Sequence, residues 1–142
     1  MEEIVKIQDE IIDEFSFFDE WMEKYEYIID LGKKLPLVED QYKNEQHLIH
    51  GCQSQVWLHC EEKEGRLFFS ADSDAVITKG IIAMLIRVLS GQKSEDIAKC
   101  DLYFIDRIGL HEHLSQTRSN GLTNMIKQMK MYGIATKASS YE

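Results

Sequence analysis

The stretch from Ala75 to Leu89 constrains the fold more than any other part of this chain. At helical spacing its apolar residues face nearly every direction: Val76, Ile77, Ile81, Ile82, Met84, Leu85, Ile86 and Val88. A helix that is apolar all round is buried in a protein core. Gly80 in its middle predicts a close crossing with another helix. Other elements must therefore surround this helix, and Asp72, Ser73 and Asp74 are predicted to cap its N-terminus.

Two amphipathic helices are predicted before this segment. In the first, apolar side chains recur at helical spacing at Ile4, Ile7, Ile11, Phe15 and Phe18. The second is predicted to end at Gly32, because glycine commonly follows a last helical turn and Pro36 prevents the helix from continuing. After the buried helix, short helices are predicted to start at Ser94 and Asp101.

An alternating pattern between the second helix and the buried helix predicts a β-hairpin. Residues 55–61 alternate between apolar and polar side chains, residues 62–65 form a turn, and residues 66–71 alternate again. The residues predicted to face the core are Val56, Leu58, Cys60, Leu67, Phe69 and Ala71. Leu48 and Ile49 are the candidates for a third strand.

The order of these elements predicts an α+β fold. Because the strands are grouped together rather than interleaved with helices, we expect a small antiparallel sheet covered by helices. Thr117 is predicted to cap a last helix, and the residues after Gly133 to form a frayed tail. The 142 residues are the length of one domain. We therefore expect a single domain over residues 1–142, with its core at about 4–133 and its tail at 134–142.

The composition and charge argue against several classes of function. The net charge at pH 7 is −9, and an acidic surface repels the phosphate backbone of nucleic acids. No apolar run approaches the ~20 residues of a membrane-spanning helix. The acidic N-terminus lacks the basic start and the apolar stretch of a signal peptide. We therefore expect a cytoplasmic protein that binds neither nucleic acid nor membrane.

Cys52 is the cysteine that the pattern favours for chemistry. Together with Cys60 and Cys100 it makes an odd number of cysteines without CxxC spacing, which argues against a disulfide framework and a zinc ribbon. No metal site is predicted. Cys60 and Cys100 are expected to be small core residues. Cys52 instead follows Gly51 in a polar loop at the foot of the hairpin, where a thiol can be presented to a partner as a nucleophile.

The segment around Cys52 resembles the signature of a known family. Residues 51–57 read GCQSQVW, which resembles the signature of the SufE family, the sulfur acceptors that partner cysteine desulfurases in iron–sulfur cluster biogenesis. Three further blocks resemble that family in the same order, at residues 21–36, 72–83 and 113–125. The resemblance covers about residues 15–130 and implies a SufE/IscU-like fold.

The resemblance also implies a function in sulfur transfer. Cys52 would receive a persulfide sulfur from a pyridoxal-phosphate-dependent cysteine desulfurase of the SufS or CsdA kind, and the protein would thereby stimulate that enzyme. It would then deliver the sulfur to an iron–sulfur scaffold of the SufBCD kind. The chain itself would need no cofactor and would act as an accessory, without its own turnover of a small molecule. Gly51, Gln53, Ser54 and Gln55 are carried over as loop residues that shape the site.

Arg118 matches the arginine of the family's last motif. A positive charge near Cys52 would favour a thiolate or a persulfide anion. The family usually has proline where this chain has Gln116, followed by serine where this chain has Thr117. Thr117 can still cap the helix, so we expect the helix start to be kept and Arg118 to be held less rigidly.

Three other functions are open to these residues. A cysteine hydrolase would need Cys52 paired with a histidine, for which the candidates are His47, His50, His111 and His113. A metal or iron–sulfur scaffold would need the three cysteines to converge. A non-covalent adaptor would bind one partner through the acidic surface, with Cys52 in a structural role.

Overall fold

The computed structural model describes the backbone of residues 1–139 and the side chains of residues 1–136. The chain opens with α1 (Glu2–Phe15) and α2 (Trp21–Gly32), followed by 3₁₀ turns at Asp40–Tyr42 and Glu45–His47. Two strands, β1 (Val56–Lys63) and β2 (Arg66–Ser73), lead into α3 (Val76–Leu89), the short strand β3 (Gln92–Lys93) and α4 (Ser94–Lys99). The remaining helices are α5 (Phe104–Arg107), α6 (Leu110–His113) and α7 (Gln116–Ser139). Within the described residues, no helix is long and apolar enough to cross a membrane.

The β-hairpin forms where the alternating pattern predicts it. β1 and β2 pair antiparallel along their whole length. Glu64 and Gly65 connect them, and both have positive φ, 54° and 81°. A two-residue turn of this kind matches the right-handed twist of the paired strands. With β3 on the other edge of β2, the sheet has three antiparallel strands, and the predicted α+β class is confirmed.

The third strand is not where the sequence predicted it. β3 pairs with β2, whereas Leu48 forms only an isolated bridge with Trp57. The N–H of Ile49 donates a hydrogen bond to the carbonyl of Val56 at 2.8 Å. The pairing with β1 ends there because the chain turns at Gly51, where φ is +83°. The prediction of a strand at Leu48 and Ile49 is therefore wrong, although the segment does border the sheet.

α3 lies at the centre of the core, as its all-round apolar pattern predicts. Most of its residues are buried, and α1, α2 and β2 pack around it. Gly80 faces α2 so closely that a Cβ at this position would lie 2.0 Å from the carbonyl oxygen of Ile28. A Cβ at Gly32 of α2 would likewise lie 2.9 Å from the backbone nitrogen of Gly80. Only glycine allows two backbones to approach this closely, so the predicted close crossing is confirmed.

The residues predicted to cap α3 lie elsewhere. Asp72 and Ser73 belong to β2, which extends farther than its alternating pattern indicates. α3 begins after Ala75 without a side-chain cap, and Ser73 Oγ accepts a hydrogen bond from the N–H of Ala75 at 3.3 Å. Asp74 accepts its hydrogen bond from the loop that carries Cys52 and not from the helix. The cap prediction is therefore wrong.

Asp72 forms ion pairs instead of a helix cap. Its carboxylate lies 2.7 Å from Lys43 Nζ and 3.2 Å from Lys79 Nζ. Burial opposes the charged form, but the hydrogen bonds from Lys43, Ser73 and Lys79 outweigh it and lower the pKa of Asp72. The pairs tie together the segment before the Cys52 loop, the end of β2 and the first turn of α3.

Ser115, rather than Thr117, caps the last helix. Ser115 Oγ accepts a hydrogen bond from the N–H of Arg118 at 3.2 Å, and α7 begins at Gln116. The helix continues past Gly133 to Ser139, where the sequence predicted a frayed tail; residues 140–142 of that tail lie outside the described residues. α7 packs against α4 so closely that a Cβ at Gly133 would lie 2.8 Å from the carbonyl oxygen of Ser94.

Candidate functional site

The Cys52 loop, residues 51–55, joins the segment beside the sheet to β1. Gly51 has φ of +83°, a conformation that glycine adopts without strain. Asn124 of α7 donates from Nδ2 to the carbonyl oxygen of Gly51 at 3.1 Å. A Cβ at Gly51 would lie 2.3 Å from the same Nδ2. Glycine is therefore required here twice, for the turn and for the contact with α7.

Two further hydrogen bonds hold the other end of the Cys52 loop. Ser54 Oγ and Thr78 Oγ1 of α3 share a hydrogen bond of 3.1 Å. The N–H of Gln55 donates to Asp74 Oδ1 at 3.0 Å. The loop is thus fixed at Gly51 and at residues 54–55, and Cys52 and Gln53 lie between the fixed points.

A cavity of about 200 Å³ lies between the Cys52 loop, α3 and α7. We call it the Cys52 cavity. Its lining combines apolar side chains, hydroxyls, one arginine and the thiol: Cys52, Gln53, Ser54, Thr78, Ile81, Thr117, Arg118, Gly121 and Met125. Of the residues predicted for the site, Cys52, Gln53, Ser54 and Arg118 meet in this cavity, while Gly51 and Gln55 anchor the loop.

The Cys52 thiol faces inward and is half-buried. Its Sγ donates to the carbonyl oxygen of Gly121 at 3.7 Å. Burial raises the pKa of the Cys52 thiol, because a thiolate loses hydration in this position. The resting side chain is therefore a neutral thiol, and the charge of Arg118 does not offset the effect of burial.

Arg118 brings an unusual donor to the cavity. Its Nη1 is buried and has no hydrogen-bond partner among the described residues. A buried donor without a partner keeps the full penalty of its desolvation, which is larger for a charged group than for a neutral one. An anion in the Cys52 cavity would supply the missing partner.

Three residues of the site were missed in reading the sequence. Thr78 is an uncharged polar residue among the apolar residues of α3, and its position two residues before Gly80 gave no sign that it contacts the Cys52 loop. Gly121 and Asn124 fall within the block 113–125, but nothing in their sequence context indicates that they contact the Cys52 loop. Their partners, Cys52 and Gly51, are 69 and 73 residues away in the chain.

The other two cysteines lie in different surroundings. Cys60 is half-buried on β1 and packs against the core. Burial, with a smaller contribution from Glu61, raises the pKa of Cys60 to about 12. Cys100 is buried, as predicted, and its Sγ donates to the carbonyl oxygen of Ile97 at 3.4 Å. Neither lines the Cys52 cavity.

The histidines considered for a cysteine hydrolase have other partners. The ring of His113 stacks on Trp21 with centroids 4.4 Å apart, and His47 lies beside Tyr42 at 5.0 Å. His50 and His111 approach carboxylates at 3.9 Å and 3.8 Å. None of the four lines the Cys52 cavity. Over residues 1–139, no three His, Cys, Asp or Glu side chains cluster closely enough to hold a metal ion.

Comparison with known proteins places the chain in a family. Residues 9–133 match the model of the SufE family, described as an Fe–S metabolism associated domain. An uncharacterised SufE-like protein of Rhizobium meliloti strain 1021 is 41% identical over 127 residues, which cover 86% of this chain and 91% of the relative. A SufE-like protein of Rhizobium etli is 40% identical over 127 residues, covering 86% of each chain.

A plant relative and a solved structure extend these matches. SufE-like protein 1, chloroplastic/mitochondrial, of Arabidopsis thaliana is 37% identical over 131 residues, which cover 92% of this chain and 35% of the plant protein. The solution structure of a hypothetical protein from Thermus thermophilus has a TM-score of 0.76, covers 93% of this chain and 96% of its own, and is 16% identical. That likeness shows a shared fold. The family match and the identities to the relatives show that this chain belongs to the SufE family of Fe–S metabolism associated domains.

Proposed function

We propose that Cys52 carries sulfur, as a persulfide, from a cysteine desulfurase to an iron–sulfur scaffold. The observation that supports this most directly is the composition of the Cys52 cavity, where an inward-facing thiol and a buried, unpartnered guanidinium nitrogen of Arg118 line one space. Membership of a family associated with Fe–S metabolism supports the same function.

The Cys52 cavity suits a persulfide in size and in chemistry. A persulfide places one sulfur about 2.05 Å beyond Sγ, and the cavity of about 200 Å³ is well above the ~30 Å³ that one water molecule occupies. Ile81 and Met125 give part of the lining an apolar character that shelters the sulfur from water and from reductants. Arg118 Nη1 would donate to the terminal sulfur anion, so that loading the carrier removes the unsatisfied donor.

The transfer is a thiol exchange that needs no oxidant. The Cys52 thiolate attacks the terminal sulfur of the persulfide on the desulfurase, a bond forms between the two sulfurs, and the donor's S–S bond breaks. The desulfurase cysteine leaves as a thiolate and is free for another turnover. Delivery repeats the exchange, with a thiolate on the scaffold as the nucleophile.

In this proposal Cys52 has to leave its resting geometry before it reacts. Because its pKa is raised by burial, the thiol has to lose its proton as it leaves the carbonyl of Gly121. Cys52 and Gln53 lie between the anchored ends of the loop, so they can turn outward while Gly51 and Ser54 stay in place. We propose that docking on the desulfurase drives this movement and thereby stimulates the enzyme.

The partners in this proposal are a pyridoxal-phosphate-dependent desulfurase of the SufS or CsdA kind and a scaffold of the SufBCD kind. The chain contributes its thiol and needs no cofactor of its own, since the chemistry is sulfur exchange between cysteines. A reducing compartment such as the cytoplasm would keep the three free cysteines reduced.

Intact-mass measurement with peptide mapping tests the proposal. The protein is incubated with a cysteine desulfurase and free cysteine and is analysed before and after a reductant. We expect a gain of one sulfur atom that the reductant removes, on the Cys52 peptide and not on the Cys60 or Cys100 peptides. Cys52→Ser should abolish the gain and keep the fold, because serine fills the same space and its hydroxyl can donate to Gly121.

Cys60→Ala is the matched control. It removes a half-buried thiol outside the Cys52 cavity, so it should lower stability and leave sulfur acceptance intact. Absence of sulfur on wild-type Cys52 with a competent desulfurase would refute the carrier. Full stimulation of the desulfurase by Cys52→Ser would show instead that the chain activates its partner without accepting sulfur.

A further inference from the structure

Gly121 of α7 contacts the reactive side chain in two ways. Its carbonyl oxygen accepts the hydrogen bond from Cys52 Sγ at 3.7 Å. A Cβ at this position would lie 3.6 Å from Sγ and 3.7 Å from both Cα and Cβ of Cys52. The missing side chain of Gly121 therefore leaves open the space directly beside the thiol.

Neither the backbone nor the packing of the resting protein requires glycine here. Gly121 lies within α7 and is not among the glycines with positive φ. Distances of 3.6–3.7 Å are ordinary contacts, whereas a Cβ at Gly133 of the same helix would collide with Ser94 O at 2.8 Å. Alanine is also more favourable than glycine in a helix interior. The resting protein would therefore accept alanine at residue 121 and be more stable for it.

The loaded protein differs from the resting one at this position. A persulfide extends Sγ by one sulfur at about 2.05 Å, and a methyl group already in contact with Sγ would overlap a terminal sulfur that turns toward α7. We infer that Gly121 is a positioning residue for the cargo, whose missing side chain leaves the room in which the terminal sulfur of Cys52 is sheltered. This inference rests on the proposed function.

The carbonyl of Gly121 adds a second distinction between the two states. The empty carrier has an S–H that donates to this oxygen. The persulfide has no hydrogen on Sγ, so the bond cannot form, and the negative terminal sulfur is repelled by the carbonyl oxygen. It can turn within the Cys52 cavity toward the unpartnered Nη1 of Arg118. Space beside Gly121 is needed for that turn.

The test compares Gly121→Ala with wild type and with Gly133→Ala. Each protein is loaded by a cysteine desulfurase and free cysteine, separated from them, and treated with dithiothreitol, and the loss of the added sulfur is followed by intact mass. We expect Gly121→Ala to lose its sulfur roughly fivefold faster, equivalent to about 1 kcal/mol. Its Tm should be equal to or about 3 °C above that of the wild type.

Gly133→Ala is expected to behave differently in both measurements. The collision with Ser94 O should lower its Tm, while its sulfur should be lost at the wild-type rate, since residue 133 does not line the Cys52 cavity. For Gly121→Ala, an equal or higher Tm together with faster loss of sulfur cannot be explained by a loss of folding. A larger variant, Gly121→Val, should lose sulfur faster still.

Two outcomes overturn the inference, and they are distinguishable. If loaded Gly121→Ala keeps its sulfur as long as wild type, Gly121 does not position the cargo, and the proposed function stands. If wild-type Cys52 accepts no sulfur at all, the proposed function fails and this inference fails with it.

Discussion

Replacing Gly80 by alanine tests how far the close crossing of α2 and α3 determines stability. The added carbon would lie 2.0 Å from the carbonyl oxygen of Ile28 and 2.6 Å from its carbonyl carbon. Both are backbone atoms within a helix, so they cannot rotate away as a side chain can. Non-bonded heavy atoms need about 3.5 Å, and the two helices would have to separate by roughly 1 Å or more at this point.

The magnitude follows from three contributions. Inserting a methyl group into a packed core destabilises by about 1–3 kcal/mol, and separating α2 from α3 also loosens contacts around the buried Ile28. Alanine recovers about 1 kcal/mol through its higher helix propensity. We expect the free energy of unfolding to fall by about 2 kcal/mol, which lowers Tm by roughly 7 °C in a protein of this size.

Urea denaturation followed by circular dichroism measures this loss. Gly121→Ala is the matched control, because it makes the same change in a helix where the new carbon meets only ordinary contacts. Gly80→Ala should unfold at a clearly lower urea concentration than wild type, and Gly121→Ala should not. A Gly80→Ala protein as stable as wild type would refute the reasoning, since it would mean that α2 and α3 can separate without loss.

Two further predictions concern charged residues. Arg118→Met removes the buried donor that lacks a partner, so the empty protein should be unchanged or about 1 kcal/mol more stable in urea. Its loaded form should lose sulfur to dithiothreitol faster than wild type, and loss at the wild-type rate or slower would contradict the role of Arg118 as the anion's partner. Asp72 has a lowered pKa, so its stabilisation is fully present above its usual pKa and is lost as the pH falls through the lower folded value. Asp72→Asn should therefore lower stability by about 2 kcal/mol at pH 7 and by less at pH 3. An equal loss at both pH values in urea titrations would show that the carboxylate charge is not responsible.

The fold was largely predictable because its strongest signals are local. The end of α2 was predicted from Gly32 and Pro36, and the burial of α3 from apolar side chains on nearly every side of the helix. The hairpin was predicted from the alternating pattern on both sides of a turn that contains Gly65. Each of these patterns determines the local backbone without reference to distant residues.

The errors occur where the outcome depends on contacts that residue type and local pattern do not show. Asp74 has the composition of a helix cap, but its carboxylate is taken by the N–H of Gln55 across the loop. Thr117 is as good a cap by type as Ser115, and the choice between them depends on where the chain enters α7. β3 is too short to show alternation and exists because it lies against the edge of β2.

The candidate site was likewise predictable from the sequence only in part. Cys52 stands out by its loop and its neighbours in sequence, and the structure places it in a cavity with Arg118. The contact of Gly121 with Cys52 Sγ depends on the backbone and on packing, so it cannot be predicted from residue type. The sequence therefore identifies Cys52 as the candidate residue, while the shape of the cavity around its thiol depends on how α7 docks.

The cavity around Cys52 is complete only when α7 has docked. Gly121 lies 69 residues after Cys52, and synthesis proceeds at about 5–20 residues per second from the N-terminus. A nascent chain therefore holds Cys52 for some seconds without the wall that α7 supplies. During that interval the thiol is more open to oxidants and electrophiles than in the folded protein, where it is half-buried, and chains that end before α7 would leave it exposed permanently.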